Sequence, residues 1–589
     1  MTFNNINKFT EGGQRFLLGL AKKVLLANNI GLLWTTISSL NTSNLSVLTA
    51  WIGIMAFTFK IYFNFGGYYD MAIGLSKMFG LDLPEGFDYP YISKSVTEFF
   101  KRWNISLGDY FRKYIYISLE GTRHYIKKQF IDIFIIWILI GLWHKGIWNF
   151  VLWGIYFSIV LLIEKFYLKE KLNNLPNFMA HIYTMLIVII GWVLFSLDNL
   201  SMVAQYLKVM FFMSGNPIID NGSIYYLYTN IILFVILTLC STTYLSKKFN
   251  ESESQSNIST VLLNVFILLL SVSYLVSDNS NLKENFFTHV KTYTDLLIGK
   301  KDINNVYLAD DGYLLKNFTP SDDKTVNNTI KSLNNFSNKH KDTKTYVCVI
   351  PTSTSIFKDK LPKFAPSQNQ EKYLKNLSSS LNKNIEYIDT YKALNDAKDK
   401  YIYYKTDNHL TTLGAYTSFF KISEQMQLDN SAYYDVKKVS NDFNGSLSSQ
   451  SGLRFSQKDD IDIYIPESNK SSVIVNYLDN KKKTTSLYNT QSLNTKNKYD
   501  VFLDGNHPIV EINTTTNTQK QLLLIKDSYA NTFVPFLTNN YSKIIVVDPM
   551  HYKGDLSKLI DNGKFSDILF LYNANTFFSD TSLAKLLNK

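Results

Sequence analysis

Short stretches of the second half carry residues whose types and spacing suit acyl-ester chemistry. In Y-Y-K-T-D-N-H-L-T-T-L-G-A-Y (403–416), Asp407 and His409 stand two apart just before a helical pattern. In L-L-L-I-K-D-S-Y-A-N-T-F (522–533), an apolar strand ends in a tight turn that sets Ser528 at a helix start. A histidine steered by an aspartate can take a serine's proton, and N–H groups at a helix start can hold an oxyanion. In D-G-N-H-P (504–508), which is expected to follow a strand, Asn506 offers a further side-chain N–H to that oxyanion. Each piece alone also has a purely structural reading, because Asp and Ser are ordinary helix N-caps. His507 stands as an alternative base. A separate candidate is His144 in G-L-W-H-K-G-I-W-N-F-V-L-W-G (141–154), an ionisable residue inside apolar helix. Such a residue is costly in a membrane and reads as functional by default; its structural alternative is a hydrogen bond between helices.

The elements that must position these groups fall into two halves. The chain has 589 residues, long enough for two domains or more. Its mean hydropathy of −0.06 averages an apolar, aromatic first half and a second half rich in Asn, Lys, Ser, Thr and Asp. Apolar runs lie at about 14–33, 46–64, 130–144, 146–165, 181–198, 226–246 and 258–277. Several approach the ~20 residues that cross ~30 Å of hydrocarbon. The run at 130–144 is short and 14–33 carries Lys22 and Lys23, so either is expected to be tilted, broken or interfacial.

The loops between the runs set an orientation. A long 66–129 loop carries Lys77, Lys94, Lys101, Arg102, Arg112, Lys113, Arg123, Lys127 and Lys128. Lys165, Lys169, Lys171, Lys247 and Lys248 follow in alternate loops, while 213–225 has no basic residue. If every run crosses, the basic loops fall on the cytoplasmic side and everything after about Ser277 lies outside. S-K-S-V-T-E-F-F-K-R-W (93–103) has helical apolar spacing and is expected at the cytoplasmic interface, as part of the machinery or as a plain lipid anchor.

After Val276 the pattern changes. Residues 1–278 read as the membrane domain, 279–305 as a connector and 306–589 as an α/β domain. Strands are expected at 344–351, 384–389, 500–506, 521–526, 542–548 and 567–573, separated by helices, which predicts a mostly parallel layered sheet. The Asn, Ser and Lys richness of 321–343 and 467–498 predicts loops.

Other function classes find little support. A net charge of +11 suits nucleic acid, yet the cations lie between apolar runs or are scattered singly among carboxylates, and no recognition motif is visible. Cys240 and Cys348 lack partner spacing, so neither a metal site nor a disulfide framework is expected, and both read as buried apolar residues. His124, His181, His289, His340 and His551 have no partner pattern. The polar start lacks a cleavable signal pattern.

The blocks F-G-G-Y-Y-D-M-A-I-G-L (65–75), F-D-Y-P-Y-I-S-K-S-V-T-E-F-F-K-R-W-N-I-S-L (87–107), G-L-A-K-K-V-L-L-A-N-N (19–29) and G-W-V-L-F-S (191–196), with the His144 block, resemble the membrane-bound O-acyltransferase (MBOAT) family. The branch most resembled O-acetylates alginate and related surface polysaccharides, with D-alanyl-transfer membrane proteins as cousins. The resemblance runs from about Lys8 to about Val276. It implies His144 as general base or acyl-donor ligand in a dry site, Trp143, Trp148 and Trp153 along an apolar channel, and acetyl-CoA as the donor, with no tightly bound cofactor. Asn104 stands where the family carries a histidine, and an amide cannot carry a proton at neutral pH. The family's N-terminal helices are absent, which implies either a separate chain that completes the channel or a truncated start.

The second half resembles the SGNH hydrolase-like domains of alginate acetylation and DHHW-like proteins over about 283–589. V-Y-L-A-D-D-G-Y-L (306–314), P-T-S-T-S-I-F-K-D-K-L-P (351–362) and F-N-G-S-L (443–447) extend the match. It implies Ser528 as nucleophile, His409 as base, Asp407 as orienting acid and Asn506 as oxyanion donor. Leu410 stands where that family usually has tryptophan, which loosens the substrate shelf. The combined expectation is a multi-pass α-helical membrane domain followed by an extracytoplasmic SGNH-like α/β domain, working in the cell membrane as an O-acetyltransferase of a surface polysaccharide. A membrane-anchored carbohydrate esterase and a non-catalytic scaffold are the competing expectations.

Overall fold

The computed structural model describes residues 3–111, 113–114, 126–145, 148–244, 257–277, 286–453, 458–467 and 471–589. Arg112, Arg123, His124, Gly146, Lys247 and Lys248, which enter the sequence expectations, lie outside the described residues, as do the side chains of Lys127 and Lys128. The chain divides into two compact units, Met1–Lys300 and Lys301–Lys589.

In the first unit, five helices among the described residues are long and apolar enough to cross a membrane: Asn7–Ser38, Val47–Met78, Trp148–Asn174, Asn177–Ser196 and Asn221–Cys240. Phe130–His144 and Val261–Ser277 are shorter apolar helices. The loop expected from residue 66 begins later, because Val47–Met78 is one helix of 32 residues that runs through the Gly66-Gly67 pair. The glycines there serve packing. A Cβ on Gly67 would lie 2.7 Å from the Gly19 carbonyl oxygen, and one on Gly74 2.5 Å from that of Gly12. The first helix carries a π segment at Lys22–Asn28. Lys22 is tolerated there because it shares the buried Asp70 carboxylate with Arg15, each at 2.6 Å.

Within the expected interfacial stretch, Val96–Arg102 is helical. Its apolar face is fully buried at Val96 and Phe99, and the Phe99 ring packs on Tyr91, Trp103 and Trp192. The Glu164 carboxylate accepts from the Val96 and Thr97 N–H groups at 2.7 and 2.8 Å, which ties this short helix into the bundle. In the stretch expected as connector, Phe286–Leu297 is a helix of the first unit, and its Asp295 accepts from the Tyr274 hydroxyl at 2.8 Å.

The second unit is built on an eight-stranded sheet in the order Ile385–Ile388, Lys344–Ile350, Asp567–Asn573, Gln521–Lys526, Lys543–Val547, Ile509–Thr514, Val473–Tyr477, Lys482–Thr484. The first five strands pair in parallel and the last three continue antiparallel. The central strands are buried on both faces, as their unbroken apolar text requires. Cys348 is buried in Lys344–Ile350; Cys240 is half-buried.

Composition misled at several places. Residues 323–339 were expected to loop and instead form the helix Asp323–Lys339. Val326, Ile330, Leu333 and Phe336 recur at helical spacing and are buried, and Asp322 caps the start by accepting from the Thr325 N–H. Within 467–498, Val473–Tyr477 and Lys482–Thr484 are antiparallel strands at the sheet edge. Conversely, 500–506 is no strand. A 3-10 turn covers Lys498–Val501, and Leu503, Asp504 and Gly505 all have positive φ. The Asn506 segment is therefore a tightly wound loop.

Candidate active site

The strand Gln521–Lys526 delivers Ser528 at its C-terminal end, the customary place for a site in an open α/β sheet. The expected helix start is a 3-10 turn, Ser528–Thr532, followed by the short helix Val534–Leu537. Asp527, rather than Ser528, is the cap, accepting from the Tyr529 N–H at 3.0 Å. A full helix dipole is therefore not present, and individual N–H groups must do the work.

Asp407, His409 and Ser528 are brought together. The His409 Nε2 lies 2.8 Å from Ser528 Oγ and its Nδ1 2.5 Å from Asp407 Oδ1. Both members of the Asp–His pair are buried, and the imidazole stacks on Tyr499 with ring centroids 3.8 Å apart. The second Asp407 oxygen accepts from the Ser446 N–H at 2.6 Å. Burial alone would raise the Asp407 carboxyl; the His409 charge and the hydrogen bonds from His409 and Ser446 outweigh it and hold the group at about 2.

The F-N-G-S-L stretch belongs to this support. A Cβ on Gly445 would sit 2.2 Å from the Asp407 Cβ, so only glycine fits beside the carboxylate. Asp459 pins the backbone just before Asp407, accepting from the Lys405 N–H at 2.8 Å and the Thr406 N–H at 2.7 Å. Sequence reasoning missed Asp459, Tyr499 and Ser446 as partners, since none has a fixed spacing to the residues it serves.

Asn506 and Ser528 line one small cavity of about 70 Å³ together with Lys526 and Asp548. The Asn506 Oδ1 accepts from Lys526 Nζ at 3.1 Å and from Asn531 Nδ2 at 3.3 Å. Lys526 is 1% exposed, and its ammonium also faces Asp548 at 3.6 Å. His507 is committed elsewhere: its Nδ1 meets both Asp479 oxygens at 3.0 Å and its Nε2 the Asp504 carbonyl at 3.2 Å. That geometry removes it as the base for Ser528.

In the first unit, His144 lies near the end of the helix Ile126–Lys145. Its ring packs on Phe195, Trp153 and Phe150, with centroids 5.3, 5.8 and 6.0 Å away. Of the tryptophans expected along a channel, only Trp153 is buried; Trp143 is 62% and Trp148 75% exposed. Trp143 follows Leu142 on the outer side of its helix and touches the His144 ring at 5.1 Å. Asn104 has φ 49 and accepts from the Tyr69 hydroxyl at 2.6 Å. Among the described residues no group of His, Cys, Asp and Glu is placed to hold a metal ion.

Comparison with known proteins matches residues 33–207 to the membrane-bound O-acyltransferase family, MBOAT, and residues 291–547 to the DHHW protein family. The chain is 38% identical over 208 residues to the probable alginate O-acetylase AlgI of Pseudomonas aeruginosa, covering 35% of this chain and 40% of that protein. It is 26% identical over 298 residues to the peptidoglycan O-acetyltransferase of Helicobacter pylori, covering 48% and 51%. The chain thus spans about half or less of these relatives' lengths. Among solved structures, Bacillus cereus PatB1 with a sulfonyl adduct is 20% identical, with a TM-score of 0.41 over 48% of this chain and 99% of that one. A DHHW family protein from Eubacterium siraeum is 21% identical, with a TM-score of 0.40 over 48% and 95%. The chain is thus similar to the membrane-bound O-acyltransferase family over residues 33–207 and to the DHHW protein family over residues 291–547.

Proposed function

We propose that this protein O-acetylates a cell-surface polysaccharide in two stages. The membrane segment takes an acetyl group from cytoplasmic acetyl-CoA by way of His144, and the DHHW domain, outside the cell, passes it to a sugar hydroxyl. The observation that carries this reading is the hydrogen-bonded series Ser528–His409–Asp407, with steps of 2.8 and 2.5 Å. Ser528 Oγ attacks the acetyl carbonyl while its proton moves to His409 Nε2. The carbonyl oxygen becomes an oxyanion, met by the Ser528 backbone N–H and the Asn506 side-chain N–H. Collapse releases the donor, which takes the proton from His409. The sugar hydroxyl then gives its proton to the same nitrogen as its oxygen attacks the acetyl-serine, and the serine is restored.

The relatives, a probable alginate O-acetylase and a peptidoglycan O-acetyltransferase, support a glycan acceptor without choosing one. The side chosen for the DHHW domain rests on the distribution of basic loops. Joining two activities in one chain raises their effective concentration and favours hand-over. Membrane lipid and the glycan acceptor are the partners this reading calls for.

One observation favours a second reading, a membrane-anchored esterase. Asn104 accepts from Tyr69 and cannot carry a proton, so the membrane segment lacks that acid–base group. A labelled acetyl donor given to membranes containing the full chain separates the readings. Label in glycan supports transfer, label released as free acetate supports the esterase, and neither product leaves a scaffold.

A further inference from the structure

One buried polar group beside Ser528 takes no part in the chemistry described so far. Tyr572 lies near the end of the strand Asp567–Asn573, which pairs in parallel with the strand that delivers Ser528. Its two chain neighbours tie it to the nucleophile's own turn. The Asp527 N–H donates to the Leu571 carbonyl at 3.3 Å, and the Asn573 N–H donates to the Asp527 carboxylate at 2.9 Å. Tyr572 is thus held beside Asp527, the residue that precedes Ser528. It is 3% exposed, and its ring packs on Phe577 with centroids 6.1 Å apart. It lines the same cavity of about 70 Å³ as Ser528 and Asn506.

Among the described residues the Tyr572 hydroxyl has no hydrogen-bond partner. A buried hydroxyl without a partner is costly, and in a folded protein it calls for a cause. The two carboxylates on the same cavity are engaged by other donors. Asp527 accepts from the N–H groups of Tyr529 and Asn573, while Asp548 faces Lys526 at 3.6 Å and accepts from the Met550 N–H at 3.0 Å. Burial first, then the charges of Asp527, Asp548 and Asp580, push the Tyr572 phenol well above its ordinary value. The oxygen therefore keeps its proton and stands as a donor. We propose that Tyr572 is a catalytic residue, a further donor to the acyl oxyanion formed at Ser528, beside the Ser528 backbone N–H and the Asn506 side chain. This role rests on the Ser528 reading above. As Ser528 Oγ bonds to the acyl carbon and its proton passes to His409 Nε2, the carbonyl π electrons move onto the acyl oxygen. The Tyr572 O–H hydrogen-bonds that oxygen without giving up its proton. When the leaving group departs, the carbonyl is restored and the hydroxyl is released. A donor unpaired in the resting protein and satisfied in the transition state lowers the barrier with its whole bond.

The test compares Tyr572→Phe with the parent, both as full chains in detergent, on 4-nitrophenyl acetate, with Ser528→Ala alongside. Tyr572→Phe removes one oxygen and keeps the ring. Its kcat is expected to fall on the order of 10²-fold with KM little changed. Its melting temperature should equal or exceed the parent's, because the lost oxygen had no partner in the fold. A hydroxyl that only supports the fold predicts the reverse, a lower melting temperature with kcat kept. A second measurement uses 1,1,1-trifluoroacetone, which adds to a serine hydroxyl and leaves an oxyanion on its former carbonyl oxygen. Its inhibition constant should rise in Tyr572→Phe by about the factor that kcat falls. An unchanged inhibition constant, an unchanged kcat or a loss confined to KM overturns Tyr572 as a donor; the triad stands if Ser528→Ala is inactive. A parent that turns over no ester, or a Ser528→Ala protein as active as the parent, overturns the Ser528 reading and the role of Tyr572 with it.

Discussion

Lys526 Nζ lies 3.1 Å from Asn506 Oδ1, and that bond decides which way the Asn506 amide faces. Lys526 and Asn531 both hold the oxygen of this amide, which leaves its N–H₂ as the donor end of a residue that lines the same cavity as Ser528. Lys526 is thus a positioning residue for the proposed oxyanion donor. Lys526→Met keeps the volume of the side chain and removes the grip. Its kcat on an acetyl ester should fall on the order of 10²-fold, near the cost of losing an oxyanion donor, with KM little changed. Combined with Asn506→Ala, the loss should be well short of the product of the two single losses, because both act through one amide. Multiplying losses would show that Lys526 acts independently of Asn506.

Ser528→Ala should abolish acyl-ester turnover and leave the melting temperature nearly unchanged. The cap of this turn is Asp527, whose carboxylate accepts from the N–H groups of Tyr529 and Asn573. Asp527→Ala should therefore cost stability, about 0.5–2 kcal/mol from the cap alone, where Ser528→Ala does not. Ser528→Ala that still turns over ester at the parent rate would remove His409 and Asp407 from the chemistry along with it.

Asp407 couples the site to acid stability. Its carboxyl sits at about 2 in the fold, below its ordinary value near 3.8, so the folded state binds the proton less tightly than the unfolded chain. The stabilisation is complete above about pH 4 and is lost as pH falls through about 2. It amounts to about 2 kcal/mol, from roughly 1.4 kcal/mol per unit. Asp407→Asn should lower stability at pH 7, with the deficit shrinking as the pH falls toward 2. A deficit that stays constant between pH 7 and pH 3 would place the effect in packing. The same variant should reduce kcat by about 10⁴-fold, because the imidazole loses its orienting acceptor.

How much of this was legible in the sequence depended on whether a contact is local. Asp407 and His409 share a turn, and Ser528 follows a strand whose apolar text is unbroken, so each half could be read, although their meeting across 119 residues could not. The helix Asp323–Lys339 was hidden because its Asn, Ser and Lys content outweighed a correct apolar spacing at Val326, Ile330, Leu333 and Phe336. The loop was expected to begin at residue 66, whereas Val47–Met78 continues as helix, because its packing of Gly67 against Gly19 depends on a partner far away in sequence. Lys526 was read as strand text, since nothing local marks a buried ammonium whose partners, Asn506 and Asp548, lie on other segments.

The proposed sidedness has its own test. Protease added to intact spheroplasts should release a fragment near the size of 301–589, because the unit boundary falls at Lys300–Lys301 and the basic loops favour the opposite face. A fragment protected until the membrane is lysed would reverse the orientation and exclude an extracellular acceptor for Ser528.

His144 separates a working membrane segment from an anchor. Its ring sits among the rings of Phe150, Trp153 and Phe195. If it handles the acetyl group, His144→Ala should eliminate acetylation of the extracellular glycan while protein level and ester turnover by the DHHW domain stay unchanged. The two sites act in series, so losing the first starves the second without altering it. A purely structural His144 gives a different pattern: removing a packed ring opens a cavity in the bundle and lowers abundance, with acetylation per molecule preserved. Glycan acetate per mole of protein distinguishes these outcomes, and an unchanged ratio removes His144 from the mechanism. If the parent itself acetylates no glycan, co-expression with a chain that supplies further membrane helices becomes the deciding comparison. Acetylation restored to the parent but not to His144→Ala would place the residue in the transfer step.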